Sequence, residues 1–464
     1  MQLMIILDGT IVTVALPTIQ NDLEFSQGGL SWVVNSYLIA FAGLLLLSGR
    51  LGDLIGNKKV FLAGLATFTV ASLICGVANT AGLLIAGRFV QGVGAALASA
   101  VVLGMIVGLY PEPGEQAKAM GIYSFVSAGG ASVGLIAGGV ITDALGWHWV
   151  FLINLPIGVV AGIAGLRELT PQAGLGLRAG ADALGALLVT LGLSLGVFTI
   201  SQVSEDQYGG GELAAYGLIS LVLLAGFLLR QAKAASPLLA LRIFRNREID
   251  GANTVVVLAF AAGFGFQFLN ALYLQRVLGF DSMQTGLAFL PAPLVIGTIS
   301  LFFSAKLVAR FGTRRVLLTG LLLLGVGLLL LSRAPVDGDY WVDVAPTLVI
   351  QGLGMGLTIP SVIMRAMSGA RPSDAGLASG LNNTAQQAGA AVGLAVLATV
   401  ATSHSNSRVA DGVAQIAALR DGYSLAFVCA AGFVFLGWLV TFVVLRDAEA
   451  VAKDAAKDSA VAAP

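Results

Sequence analysis

The chain has 464 residues, 57% of them hydrophobic and 11% charged, with no net charge and a mean hydropathy of +0.90. Soluble domains carry about a quarter charged residues, so this composition excludes a soluble protein and points to one that crosses a membrane many times. No basic patch with interleaved aromatics suggests a nucleic acid, and two cysteines (Cys75, Cys429) with two isolated histidines (His148, His404) make neither a disulfide framework nor a metal site.

At about 20 apolar residues per span, the sequence predicts fourteen helices, centred near residues 10, 40, 68, 93, 129, 157, 192, 221, 261, 294, 324, 353, 391 and 434. The first, MQLMIILDGTIVTVALPTIQ, holds Asp8, the only carboxylate inside a predicted span. The first residues lack the basic region and cleavage site of a signal peptide; the chain begins almost inside this span, without the basic inner flank expected before a first helix, so the native start is expected upstream. The second helix leads into the charged loop GRLGDLIGNKK (49–59). The fourth holds Arg88, the second intramembrane charge, with Gln91 at i+3 on the same helix face. The fifth is crowded with glycines: Gly121, Gly129, Gly130, Gly134, Gly138 and Gly139. Trp147 and Trp149, after it, read as part of the interfacial aromatic belt.

The seventh and eighth helices, about 182–230, stand apart from the repeat described next. The ninth carries Gln267 and Asn270. Its alternating Phe264, Phe266 and Phe268 read as lipid-facing or packing residues, since strand-like spacing cannot aim all three into one cavity. The thirteenth carries Asn382, Asn383, Gln386 and Gln387 as two i, i+4 pairs. Residues 448–464 are small and polar and read as a disordered tail.

Basic residues set the orientation. With both termini in the cytoplasm, inner segments hold 20 of the 25 Lys and Arg, while Arg276, Arg333, Arg408 and Arg420 are outside and Arg88 is in a span. The chain also repeats. GRLGDLIGNKKVFLAG (49–64) aligns with AKLVARFGTRRVLLTG (305–320), QGVG (91–94) with QGLG (351–354), and GIYSFVSAGGASVG (121–134) with GLNNTAQQAGAAVG (380–393), at offsets of 256 to 260. These imply a six-helix half at 1–168, two inserted helices within 169–248, and a second six-helix half at 249–447. Parallel six-helix halves are a transporter architecture with the substrate between them near mid-membrane.

These runs resemble the major facilitator superfamily, specifically its 14-helix drug:proton antiporters, over nearly the whole chain. LDGTIVTVALP (7–17) resembles the first-helix motif, which implies that Asp8 is the proton-linked acid. GRLGDLIGNKK resembles the loop motif, carried by Gly49, Leu51, Asp53, Gly56 and Lys58, and implies that Asp53 gates by holding inner helix ends together. GRFVQGVGAA (87–96) resembles the fourth-helix motif, with Arg88, Gln91, Gly92 and Gly94. GLIAGG (134–139) resembles the antiporter motif, with Gly134, Gly138 and Gly139. The sequence departs from these patterns where Leu135 stands in place of a proline, Leu54 and Asn57 in place of bases, and His148 in place of a common arginine.

The fold class implied is an all-α integral membrane protein of the major-facilitator type. Intramembrane acids are functional by default, and a carboxyl group's proton affinity rises on burial and falls beside a cation. Asp8 and Arg88 are therefore the candidate proton-coupling pair, counted to approach each other near mid-membrane. Gly49, Asp53, Gly56 and Lys58 form the candidate gating loop, and Gly121, Gly134, Gly138 and Gly139 the antiporter-motif helix. Gln91, Gln267, Asn270, Asn383 and Gln387 are weaker candidates for the cavity lining. The corresponding stretch of the second half, GFGFQF (263–268), has no acid, and Leu348 stands where Arg88 would.

The expected function is proton-coupled export of an amphipathic organic compound by a monomer in the plasma membrane, with no cofactor. A cationic substrate is favoured because Asp8 offers the only negative charge. A metabolite exporter or proton symporter on the same fold is the alternative. An enzyme would need clustered intramembrane His, Asp, Glu, Ser or Cys. A receptor would need a sizeable soluble domain, and the nucleotide loop GxxxxGK[ST] is absent.

Overall fold

The computed structural model describes residues 1–26, 29–110, 112–170, 174–176, 180–204, 208–234, 237–239, 241–368 and 375–445. The tail expected at 448–464 lies outside them. Fourteen helical segments follow one another: α1 Gln2–Asp22, α2 Gly29–Ile55, α3 Asn57–Gly76, α4 Ala81–Leu109, α5 Pro113–Leu145, α6 His148–Glu168, α7 Ala183–Gln202, α8 Gly210–Lys233, α9 Arg247–Val277, α10 Ser282–Phe311, α11 Thr313–Leu331, α12 Tyr340–Ala366, α13 Ala375–Ala410 and α14 Gln415–Val443. Each contains one of the fourteen predicted centres. Thirteen are long and apolar enough to cross a membrane, and α5 contributes the shorter apolar stretch Ser132–Leu145.

The helix ends follow local chemistry. Thr80, Asp182 and Asn246 accept hydrogen bonds from the first-turn N–H groups of α4, α7 and α9, and Asp281 forms a capping box with Gln284 on α10. Between α2 and α3 the chain turns at Gly56 (φ 94°), and between α10 and α11 at Gly312 (φ 83°). These positions are equivalent in the repeat, and both use the left-handed backbone that glycine adopts without strain.

Packing repeats as the sequence does. A Cβ on Gly64 would lie 2.8 Å from the Gly94 carbonyl, joining α3 to α4, and one on Gly320 would lie 3.0 Å from the Gly354 carbonyl, joining α11 to α12. Small residues let backbones approach this closely. Gly130 and Gly138 of α5 pack on Leu3, Ile6 and Ile11 of α1, and Gly389 and Gly393 of α13 pack on Val257 and Ala261 of α9.

The ends of the bundle that carry Gly56 and Gly312 form the loop face; Asp22 and Trp147 lie at the far face. Toward the far face α5 and α10 meet at backbone distance. A Cβ on Gly139 would lie 2.6 Å from the Met283 Cα, Gly286 packs on the Leu135 carbonyl, and Asp143 accepts the Met283 N–H at 2.9 Å. Gln275 of α9 donates to the Val14 carbonyl of α1 at 2.9 Å. On the opposite flank α7 fills the groove between α2 and α13. Thr190 seats against Gly43, Trp32 meets Phe198 at 6.3 Å between centroids, and Thr399 donates to the Ile200 carbonyl at 3.1 Å. α8 covers α7 and leaves Leu218, Leu221, Val222 and Leu229 exposed, as a lipid-facing helix does.

One aromatic expectation is corrected and another is narrowed. Trp147 is buried and donates its indole N–H to Asp22 at 2.8 Å, so it is a packing anchor; Trp149 alone is substantially exposed. Of the two readings of the alternating phenylalanines, Phe266 and Phe268 take the packing one, buried in the core. Rotation of α9 takes Phe264 to the central cavity.

Candidate functional site

Five helices of the first half converge on Asp8, which is fully buried. From α4, the Arg88 Nη1 donates to Asp8 Oδ2 at 2.5 Å and to Gln91 Oε1 at 2.6 Å. Gln91 Nε2 donates to Asp8 Oδ1 at 2.7 Å and to the Ser72 hydroxyl of α3 at 2.9 Å. Asn154 of α6 reaches Asp8 Oδ1 at 3.5 Å, and Arg88 Nε donates to the Val33 carbonyl of α2 at 2.8 Å. The guanidinium lies 4.5 Å from the Tyr37 ring centroid and 5.8 Å from that of Phe151, within cation–π range. Arg88 and Gln91 reach the same carboxylate because i and i+3 share a helix face.

A buried pair survives desolvation only when its remaining donors and acceptors are satisfied. Here both carboxylate oxygens and two guanidinium nitrogens are engaged, so the cluster is stable while Asp8 is ionised. A proton on Asp8 removes one charge and one acceptor. Arg88 then keeps its charge, because arginine does not deprotonate in proteins. The equivalent positions of the second half hold no such pair among the described residues. Leu348 is buried at the Arg88 position, and Gln351 donates to the Leu324 carbonyl at 3.1 Å.

A cavity of about 220 Å³ lies between the halves beside this cluster. Its walls include Ile6 and Gly9 of α1, Tyr37 of α2, Arg88, Phe264 and Gln267 of α9, and Gln387 of α13. Asp8 is not on the wall. The charge nearest the cavity is therefore the guanidinium, with the carboxylate behind it, which removes the sequence-based reason for favouring a cation. Of the five weaker cavity candidates, Gln267 and Gln387 line it. Gln91 lies behind the wall in the ion-pair cluster, and Asn270 is wholly buried elsewhere on α9. Asn383 lines a separate cleft of about 430 Å³ on the loop face, together with Gly49, Arg50, Asp53 and Gly380.

In the last turn of α2, where the sequence suggested a loop, Asp53 is exposed and lies 3.9 Å from Arg50. It reaches no helix end of the other half among the described residues. Its backbone carbonyl and that of Leu54 instead accept the N–H groups of Leu175 and Gly176, each at 2.9 Å, while Arg50 donates to the Gly180 carbonyl at 3.2 Å. Lys58 donates to the Leu166 carbonyl at 2.9 Å and to that of Leu169, closing the end of α6. Arg314, its repeat partner, donates to the Phe442 carbonyl at the end of α14 at 2.6 Å. In α5, Gly134 and Gly138 face α1 and Gly139 faces α10. The surroundings of Gly121 and Gly129 lie outside the described residues.

Sequence reasoning missed Tyr37, Ser72 and Asn154. None of the three is set apart in the sequence from other polar residues of a span.

A family model for the Major Facilitator Superfamily matches residues 1–394. A puromycin resistance protein of Streptomyces alboniger is 35% identical over 450 residues, covering 96% of this chain and 89% of that protein. A cephamycin export protein of Amycolatopsis lactamdurans is 36% identical, covering 93% and 88%. A tetracenomycin C resistance and export protein of Streptomyces glaucescens is 31% identical, covering 93% and 81%. Among solved structures, a bacterial homologue of the human lysosomal transporter Spinster, inward-facing and unoccupied, superposes with a TM-score of 0.68 at 16% identity, covering 96% of this chain and 95% of that one. At that identity the likeness concerns the fold alone.

Proposed function

The chain belongs to the major facilitator superfamily, and from that premise we propose that it is a proton-coupled exporter of amphipathic organic compounds, working by alternating access with Asp8 as the coupling acid. The observation that carries this reading is the buried Asp8–Arg88–Gln91 cluster, whose α1 also walls the cavity between the halves. Ionised Asp8 ties α1 to α4 and α6. A proton weakens those ties, frees α1 to shift against α4, and so changes the wall on which substrate rests. A ligand or proton biases the open face only through such a difference between states.

The export, resistance and antibiotic terms in the relatives' names support this direction of transport. The units proposed are a half at 1–168, an inserted hairpin within 169–248 and a half at 249–447, rocking about the cavity. The loop face is assigned to the cytoplasm of a plasma membrane by the 20-to-4 excess of basic residues. The glycine seam of α5 and α10 then seals the outer side, and Asp53 acts at the inner gate when the loop face closes. The working unit is a monomer.

A second reading draws on Arg88 at the cavity wall. An anion held there would favour a proton on Asp8, the linkage of a symporter. Proteoliposomes loaded with ethidium or fluorescein, with acid imposed outside, separate the two. An exporter speeds dye loss, and a protonophore abolishes the effect. A symporter accumulates dye. No response of either dye to the gradient would remove proton coupling.

A further inference from the structure

The loops after α2 and α10 are repeats, yet they use their charges differently. At the first, Lys58 closes the end of α6, Arg50 bonds to Gly180 and neighbours Asp53, and Leu175 and Gly176 lie along the loop backbone. There the chain's own carbonyls engage Arg50 and Lys58. At the second, Arg314 closes the end of α14, while Arg310 and Arg315 are exposed on either side of the Gly312 turn. Ala309 stands where Asp53 would, and neither Arg310 nor Arg315 makes an ion pair among the described residues.

Beside Arg314, between these two cations in sequence, α14 presents an aromatic stripe. Phe435, Trp438 and Phe442 stack at 4° between planes, with centroids 6.2 and 5.4 Å apart. The Arg314 guanidinium is 5.4 Å from the Phe442 centroid. Phe435 and Phe442 are more than half exposed. Seven residues of helix make the stripe about 10 Å long, running from Arg314 toward the membrane interior. A cationic end joined to an apolar track matches a phospholipid with an anionic headgroup.

We propose that this surface binds an anionic phospholipid of the loop-face leaflet, its phosphate between Arg310 and Arg315 and an acyl chain along Phe442, Trp438 and Phe435. The chain's own tail suits it less well. Residues 446–464 hold three bases and four acids and no aromatic residue, so they bring little net charge and nothing for the stripe.

Native mass spectrometry of the full chain, titrated with phosphatidylglycerol and phosphatidylcholine of equal acyl length, tests this. The wild type is expected to prefer phosphatidylglycerol. Arg310→Gln/Arg315→Gln should weaken that binding roughly 25-fold, about fivefold for each base beside an anionic headgroup. Both side chains are exposed and Arg314 is left intact, so packing is preserved. Lys59→Gln on the first loop, and truncation after Leu445, should leave the preference unchanged. Equal affinity for the two lipids, undiminished binding by the double variant, or loss of the preference on truncation would each overturn the proposal.

Discussion

Gly139→Ala should hold the α5–α10 seam apart. The added Cβ would stand 2.6 Å from the Met283 Cα and 2.7 Å from the Ser282 carbonyl. Carbon atoms rest at about 3.5–4.0 Å, so the two helices must separate by roughly 1 Å at a point where both partners are backbone. Overpacking of this kind costs about 1–3 kcal/mol. That cost falls only on the state in which the seam is closed, so the open-to-closed ratio should rise about 5- to 150-fold. Spin labels on Leu145 and Leu287, both exposed near the seam, report the separation by pulsed electron paramagnetic resonance once Cys75 and Cys429 are replaced. The long-distance population should grow in Gly139→Ala. Gly82→Ala, whose Cβ meets nothing within 4 Å, should match the parent. An unchanged distance distribution in Gly139→Ala would refute the assignment of this seam as the moving seal.

Contacts elsewhere in the fold give three further outcomes. Arg88→Gln and Asp8→Asn should each lower thermal stability, since breaking a buried pair costs about 3–5 kcal/mol; in the double variant the losses should fall short of their sum by about 0.5–3 kcal/mol, and strict additivity would mean that the two groups act independently. Lys58→Met and Arg314→Met should lower the melting temperature by similar amounts, each losing about 0.3–1 kcal/mol of helix C-terminal interaction; a loss from Lys58→Met alone would break the equivalence of the two braces. At the start of α7, burial alone would raise the Asp182 carboxyl, but hydrogen bonds from Arg230, the Gly185 N–H and Gln231 outweigh it and hold it below its ordinary value of 3.8. Its contribution is therefore full above that value and is lost as pH falls through the lower, folded value, so Asp182→Asn should flatten the fall of melting temperature below about pH 4, and an equally steep fall would exclude Asp182 as its source.

Much of this molecule was legible because membranes enforce simple rules. Long apolar runs marked every helix, and a lone acid and a lone base stood out against them, so Asp8 and Arg88 were found and their approach was countable from helix rise. What stayed hidden depended on helix rotation and on neutral groups. Asn154, Ser72 and Tyr37 look like any polar residue in a span until five helices bring them together. Phe264 and Phe266 are two residues apart, and only the rotation of α9 sends one to the cavity and the other to the core. Which charge faces the cavity was hidden for the same reason: sequence located Asp8 and Arg88 at one depth but could not say which stood in front. Leu175, Gly176 and Gly180 dock on the end of α2 through their own backbone groups, which carry no side-chain signature.

The most direct measurement compares two activities of Asp8→Asn in proteoliposomes: dye exchange at equal pH on both sides, and dye efflux driven by an imposed proton gradient. With Asp8 as the coupling acid, exchange persists because the cavity wall is intact, and the gradient gives no acceleration. Efflux that still accelerates with the gradient as in the wild type would contradict the assignment and place proton coupling elsewhere.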